Sequence, residues 1–210
     1  MYSKSNYKKV KIAKGMNNII LDVDKFETYK LWAETIHQNI MDSFAYYGYL
    51  KGLDDFFKSY QFKNKLSIDC VEFIKRQRYL LQTAICLNIA KLLFDKSKDV
   101  YSFDNYKHII EGYKGERINI KKPRLDKNLE ETIIGFRKNY IAHSIADADA
   151  ISVKISDLFG VLKLEVTYFN AVTEDAVFEQ CYRFNDDAVE KWIHHCKTGV
   201  RDFILMNSNT

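Results

Sequence analysis

Apolar residues recur along most of the chain at spacings of three and four. From Asp24 onward, Phe26, Trp32, Ile36, Ile40, Phe44 and Tyr47 fall on one face of a helix that the pattern carries to about Tyr49. Gly52 then predicts a break, and LDDFFKSYQFKN a shorter helical piece. The stretch SIDCVEFIKRQRYLLQTAICLNIAKLLFD carries two neighbouring stripes, one through Val71, Ile74, Leu81, Ile85 and Leu92, the other through Phe73, Leu80, Ala84 and Leu87. A double stripe predicts a central, mostly buried helix. Asp95 to Ser102 reads as a polar connection, SFDNYKHII as a short helix opened by a Ser102 cap, and EGYKGERINIKKP as a charged loop before Pro123.

A further helix is expected from near Arg124, because Leu125, Leu129, Ile133, Phe136 and Tyr140 repeat at four, four, three and four. IADADA ends it. Between Ile151 and Phe184 two patterns compete: ISVKI, KLEVTYF and VFEQCYRF alternate like strands, while Leu158, Leu162, Phe169 and Val172 sit near helical spacing behind a Ser156 cap. Helix is the favoured reading, with a short β-hairpin between 151 and 184 as its competitor. The last element runs from an Asn185 or Asp186 cap through Val189, Trp192, Ile193, Val200 and Phe203. The expected architecture is all-α, an antiparallel bundle of five to seven helices. Residues 1–20, with Lys4, Lys8, Lys9, Lys11 and Lys14, read as a flexible basic arm, and 21–210 as a single domain.

Composition agrees with helix and narrows the chemistry. One proline and 8 glycines in 210 residues are too few for the turns of an all-β fold. A net charge of +4 and a pI of ≈ 8.7 permit an anionic partner without being those of a dedicated nucleic-acid module. The four cysteines are far apart, with no Cys-x-x-Cys pair, and read as buried thiols in a reducing compartment. No metal framework is visible: His194, His195 and Cys196 are consecutive, so on a helix they point about 100° apart and cannot converge on one ion. His108 and Glu111 read as a solvated pair, and His37 as a histidine at the core edge. No apolar run approaches the ~18 residues a bilayer crossing needs, and the N-terminal stretch lacks the apolar segment of a signal peptide. The expected location is cytoplasmic, without a membrane partner and without a cofactor.

The chemistry-bearing stretch is GFRKNYIAHS, residues 135–144. On a continuous helix Arg137 and His143 lie about 240° apart and ~9 Å along the axis, so they share no face. Either the helix ends between them, or they meet their partners across a symmetry axis. Asn139 and His143 are i and i+4, so the amide could orient the imidazole, while Gly135, a turn earlier, removes bulk from that face. A histidine near neutral pKa and an arginine fork are what metal-free phosphodiester cleavage requires, one to move a proton and the other to hold the phosphate. The same residues also suit simple interaction with the last carbonyls of a helix. The pattern alone leaves both readings open. Arg76 and Arg78, set among the apolar stripes, must reach the surface or find a partner in a cleft, and are candidates for a second phosphate contact.

FRKNYIAHS resembles the Arg-x(4 to 6)-His signature of the HEPN superfamily, in particular the abortive-infection protein U type. IAKLLFDKSKDVYSFDNYKHII, Ile89 to Ile110, is similar to the segment such proteins carry upstream. The likeness covers about Val71 to Asp147. It implies a helical bundle that forms a homodimer, with Arg137 and His143 of both protomers lining a shared cleft. It further implies a metal-independent endoribonuclease leaving a 2′,3′-cyclic phosphate, used as a toxin or antiviral effector. Arg137 would bind phosphate and stabilise the transition state, His143 would be general acid and base, and Asn139 would support them. Lys138, Arg76 and Arg78 would contact RNA, and an antitoxin or regulatory protein would be a further partner. The family commonly has a polar Asn, Asp or His directly after the arginine, whereas here Lys138 stands there and Asn139 follows. The alternatives are a non-catalytic RNA-, nucleotide- or partner-binding module of a defence or toxin–antitoxin system, and a purely structural dimerising bundle.

Overall fold

The computed structural model describes residues 23–61, 68–142, 153–176 and 178–207. The basic arm expected over 1–20 and His143 lie outside them. The described residues are helical throughout their regular structure: α1 (Val23–Gln61), α2 (Ile68–Phe94), α3 (Phe103–Lys114), α4 (Lys127–Ala142), α5 (Ile155–Thr173), the single turn α6 (Glu179–Tyr182) and α7 (Asp186–Asn207). This is the expected helical bundle. The hairpin does not form among the described residues, because Leu158, Leu162, Phe169 and Val172 all turn to the core on one uninterrupted helix.

α1 is the spine. Its apolar face expected to end near Tyr49 continues through Leu50, Leu53 and Phe56, all buried, and Gly52 does not break it. The isolated glycine's conformational cost of about 1 kcal/mol is outweighed by the packing of the residues on either side. Around this spine stand α2, α3, α5, α6 and α7, and α4 packs on the outer side of α2. The expectation that α2 is the central helix is therefore corrected. Its first stripe is largely inside, with Ile74, Ile85 and Leu92 buried, but the second opens to solvent at its N-terminal end, where Phe73 is 57% and Leu80 39% exposed.

Local signals set the starts of α3, α4 and α7. Ser102 caps α3 by accepting from the Asn105 amide, and Gly115 ends it at a φ of 72°, in the left-handed region that favours glycine. Asp126 caps α4 through the amides of Asn128 and Leu129, and Asn185 caps α7 through that of Asp187. α5 departs from expectation. Ser156 lies inside its first turn, the N-cap position belongs to Lys154, and that side chain makes no cap hydrogen bond.

Rings and a few polar bonds lock the helices together. Tyr106 stacks on Phe169 at 5.4 Å, and its hydroxyl meets Thr173 Oγ1 at 2.8 Å, joining α3 to α5. His37 is half-buried and stacks on Phe184 at 4.4 Å, and burial pulls its pKa below the ordinary value, as befits a packed ring at the core edge. Of the cysteines, Cys86 and Cys196 are buried as expected and burial pushes the Cys86 thiol up to about 12, but Cys181 is exposed because its turn, α6, buries none of its residues.

α1 and α7 pack closely at Gly48. A Cβ at Gly48 would stand 2.7 Å from Cys196 Cβ and 2.8 Å from the Ile193 carbonyl oxygen, so only glycine lets the two backbones come this near. Gly160, on α5, has nothing within 4 Å of the same position. Two substitutions separate the effects. Gly160→Ala is expected to stabilise by up to about 1 kcal/mol through helix propensity alone. Gly48→Ala is expected to destabilise by about 1–2 kcal/mol net, overpacking costing more than propensity returns. Urea unfolding of both variants checks this, and a stabilised Gly48→Ala would contradict the close contact.

Candidate functional site

α4 places the motif. Ile133 and Phe136 are buried and hold its inner face, with the Phe136 ring 6.0 Å from that of Tyr79 on α2. The next residue, Arg137, therefore emerges at the border of the α2–α4 seam. Its Nη2 donates to Asp95 Oδ2 at 2.8 Å, the arginine side chain being 41% exposed and that of Asp95 10%. Asp95 directly follows the last residue of α2 and also accepts from the Ser97 amide at 2.9 Å. The Ser97 bonds first, and then Arg137, hold the Asp95 carboxyl below its usual pKa against the opposing effect of desolvation.

The two stretches that carry the sequence resemblance thus meet at one ion pair, Asp95 in the upstream segment and Arg137 in the motif. The α4 backbone is helical from Arg137 through Ala142, so no fold-back occurs before residue 143. Lys138 is exposed beside Arg137, and Asn139 belongs to α4 by its backbone, its side chain lying outside what is described. Neither can be placed with His143, which also lies outside.

Arg76 and Arg78 do not join this place. Arg76 is exposed, two residues from Arg78 and so about 200° away round α2. Arg78 instead pairs with Asp54 of α1, Nη2 to Oδ1 at 3.0 Å, and Asp54 also holds Lys58 at 2.6 Å. About 25 Å of helix rise separates Arg78 from Asp95. The requirement that a cation among apolar stripes find a partner is met, but in a second groove and not in that of Arg137.

His194 and His195 lie exposed on α7 over the buried Cys196, and His108 makes a 3.3 Å contact to Glu111 at the surface. Among the described residues no group of three or more His, Cys, Asp or Glu could hold a metal ion, and no helix is long and apolar enough to cross a membrane.

Three buried acids went unremarked in the sequence: Asp54, Asp95 and Glu165. The first two have cations. Glu165 is fully buried on α5, and neither carboxylate oxygen has a hydrogen-bond partner among the described residues. Desolvation pushes its pKa up to about 8, so at neutral pH it is mainly the protonated acid. A signal existed, for residue 165 lies midway on the stripe Leu158, Leu162, Phe169, Val172, where a helix facing a core should be apolar.

No protein-family model, curated protein or solved structure matches the chain.

Two expectations follow from these acids. Glu165 ionises near its ordinary value of 4.5 when unfolded but only near 8 when folded, so folding takes up a proton between those values and stability falls as pH rises through that window. Glu165→Leu should therefore stabilise little at pH 4.5 and on the order of 2–4 kcal/mol at pH 8, read from urea midpoints across pH. A pH-independent difference would contradict the burial of an unpaired acid. Asp95, with its pKa held down, adds stability present above its unfolded pKa and lost as pH falls through its lower folded one. A double-mutant cycle of Asp95→Asn and Arg137→Ala should give a coupling of about 1 kcal/mol, modest because the arginine is part-exposed. Additive effects would show that the pair contributes nothing.

Proposed function

We propose that the chain is a metal-independent endoribonuclease of the HEPN type, acting as a toxin or antiviral abortive-infection effector, with Arg137 and His143 working in the cleft of a homodimer. The observation that carries this reading is the Asp95–Arg137 ion pair. It ties together the two stretches whose resemblance suggested the family, and it restrains an arginine of α4 whose side chain stays partly open to solvent.

The chemistry assigns one role to each residue. The Arg137 guanidinium, oriented by Asp95, binds the scissile phosphate and stabilises the charge that grows on it. His143 takes the proton from the ribose 2′-hydroxyl or delivers one to the leaving 5′-oxygen, the product being a 2′,3′-cyclic phosphate. Helical backbone through Ala142 favours convergence of these groups from two protomers over convergence along one chain. Exposed Lys138 adds phosphate attraction at the cleft rim.

A second reading has its own observation. Asp95 neutralises part of the Arg137 charge at 2.8 Å, and Lys138 stands where relatives of this type carry a polar neighbour. Those features suit a non-catalytic module that binds RNA, a nucleotide or a partner in a defence or toxin–antitoxin pair.

The readings part in one assay. In EDTA, the purified chain is expected to cut single-stranded RNA and leave cyclic phosphate ends. His143→Ala should lower the rate by about 10²-fold or more, and Arg137→Ala by about 10²–10³-fold, with helical content unchanged by circular dichroism. Binding without cutting identifies the second reading, and equal cutting by His143→Ala rules out the first.

A further inference from the structure

The second groove has features of a ligand site that the Arg137 region does not use. It is an open depression of ≈ 720 Å³ between α1, α2 and the start of α5. That is far more room than a lone inorganic anion needs and falls within the ~300–1,000 Å³ range of sites for small organic ligands.

Its charge is one-sided. Lys51 and Lys58 from α1, Arg78 from α2 and Lys154 at the N-cap of α5 line it, against one carboxylate among the described residues, that of Asp54. That leaves a formal surplus of three positive charges, four minus one. Asp54 is buried and already engaged by Lys58 and Arg78, so it acts to orient the Arg78 guanidinium more than to repel an anion. Arg78 Nε is sealed from solvent, while about a third of the side chain stays open, so the guanidinium presents an edge of fixed direction.

The α5 end adds backbone donors. Ile155 and Ser156 line the groove, Lys154 supplies no side-chain cap, and neither amide has a partner among the described residues. The positive end of a 19-residue helix faces the same space as the four cations. Half-buried Phe57 supplies an apolar wall against which a planar base can lie.

We propose that this groove is a second binding site, remote from Arg137, for the phosphate of a nucleotide unit, with Arg78, Lys154 and the α5 amides holding the phosphate and Phe57 facing the base. The unit belongs either to a free nucleotide or to an RNA strand. The assignment does not depend on cleavage.

Binding of two probes by the full chain tests it: N-methylanthraniloyl-ATP, and a fluorescein-labelled twelve-nucleotide uridine oligomer read by anisotropy in the Arg137→Ala background. Lys154→Glu, at an exposed position, is expected to weaken binding about tenfold or more and to flatten the salt dependence by roughly one unit of slope. Arg78→Lys keeps the charge opposite Asp54 but loses the fork, and should weaken binding about threefold or more with the thermal midpoint little changed. Binding of the ATP analogue alone identifies a free nucleotide as the ligand, and binding of the oligomer alone identifies a strand. The proposal is overturned if neither probe binds at 50 mM salt, or if Lys154→Glu and Arg78→Lys bind as the parent does. An absence of RNA cutting in EDTA would remove the nuclease reading and leave this one standing.

Discussion

The bundle depends on one seam along α1, where Ala33, Ile36, Ile40, Phe44, Tyr47, Leu50, Leu53 and Phe56 are buried in succession. From Ala33 to Phe56 this seam runs about 35 Å along a 39-residue helix, and no single neighbour covers all of it. α2, α3, α5 and α7 each take a part of it, and their relative placement follows from which part each covers. α7 packs close against α1 because Gly48 leaves room for the Ile193 carbonyl and Cys196. α4 stands in the second row, fastened to α2 by Ile133 and Phe136, and so the candidate motif sits at the edge of the molecule and not in its centre.

On this apolar frame the charged groups are few and specific. Asp54 and Asp95 are near-buried acids, each at one end of an inter-helix ion pair to an arginine that remains partly open to solvent. A buried carboxylate beneath a half-exposed guanidinium restrains the arginine without hiding it, and the lost freedom need not be surrendered again when an anion binds. The two arginines so held are Arg78, within α2, and Arg137, on α4 beside the C-terminal end of α2. Glu165 is the exception, an acid with no such partner among the described residues, and its burial lowers stability near neutral pH.

Much of the fold was legible because helix signals are local. The three- and four-residue spacing marked α4 through Leu129, Ile133 and Phe136, and the Ser102 and Asn185 caps were readable within a few residues of each helix start. Where local signals were ambiguous they misled. Gly52 reads as a break, yet α1 runs through it, since Leu53 and Phe56 continue the seam. The second stripe of α2 reads as buried, yet Phe73 and Leu80 face outward, since hydrophobicity says that a surface seeks cover and not that a neighbour is there to supply it.

Sequence by itself determined the helical class and several helix starts, because these rest on periodicity and capping within a turn or two. Only the tertiary structure decided that Arg137 is held by Asp95, 42 positions away. The same holds for Arg78 with Asp54 and for the deep burial of Glu165. The reason is physical: a charge's partner and its desolvation are set by which helix packs beside it, and that depends on the whole apolar frame, not on the residues adjacent in the chain.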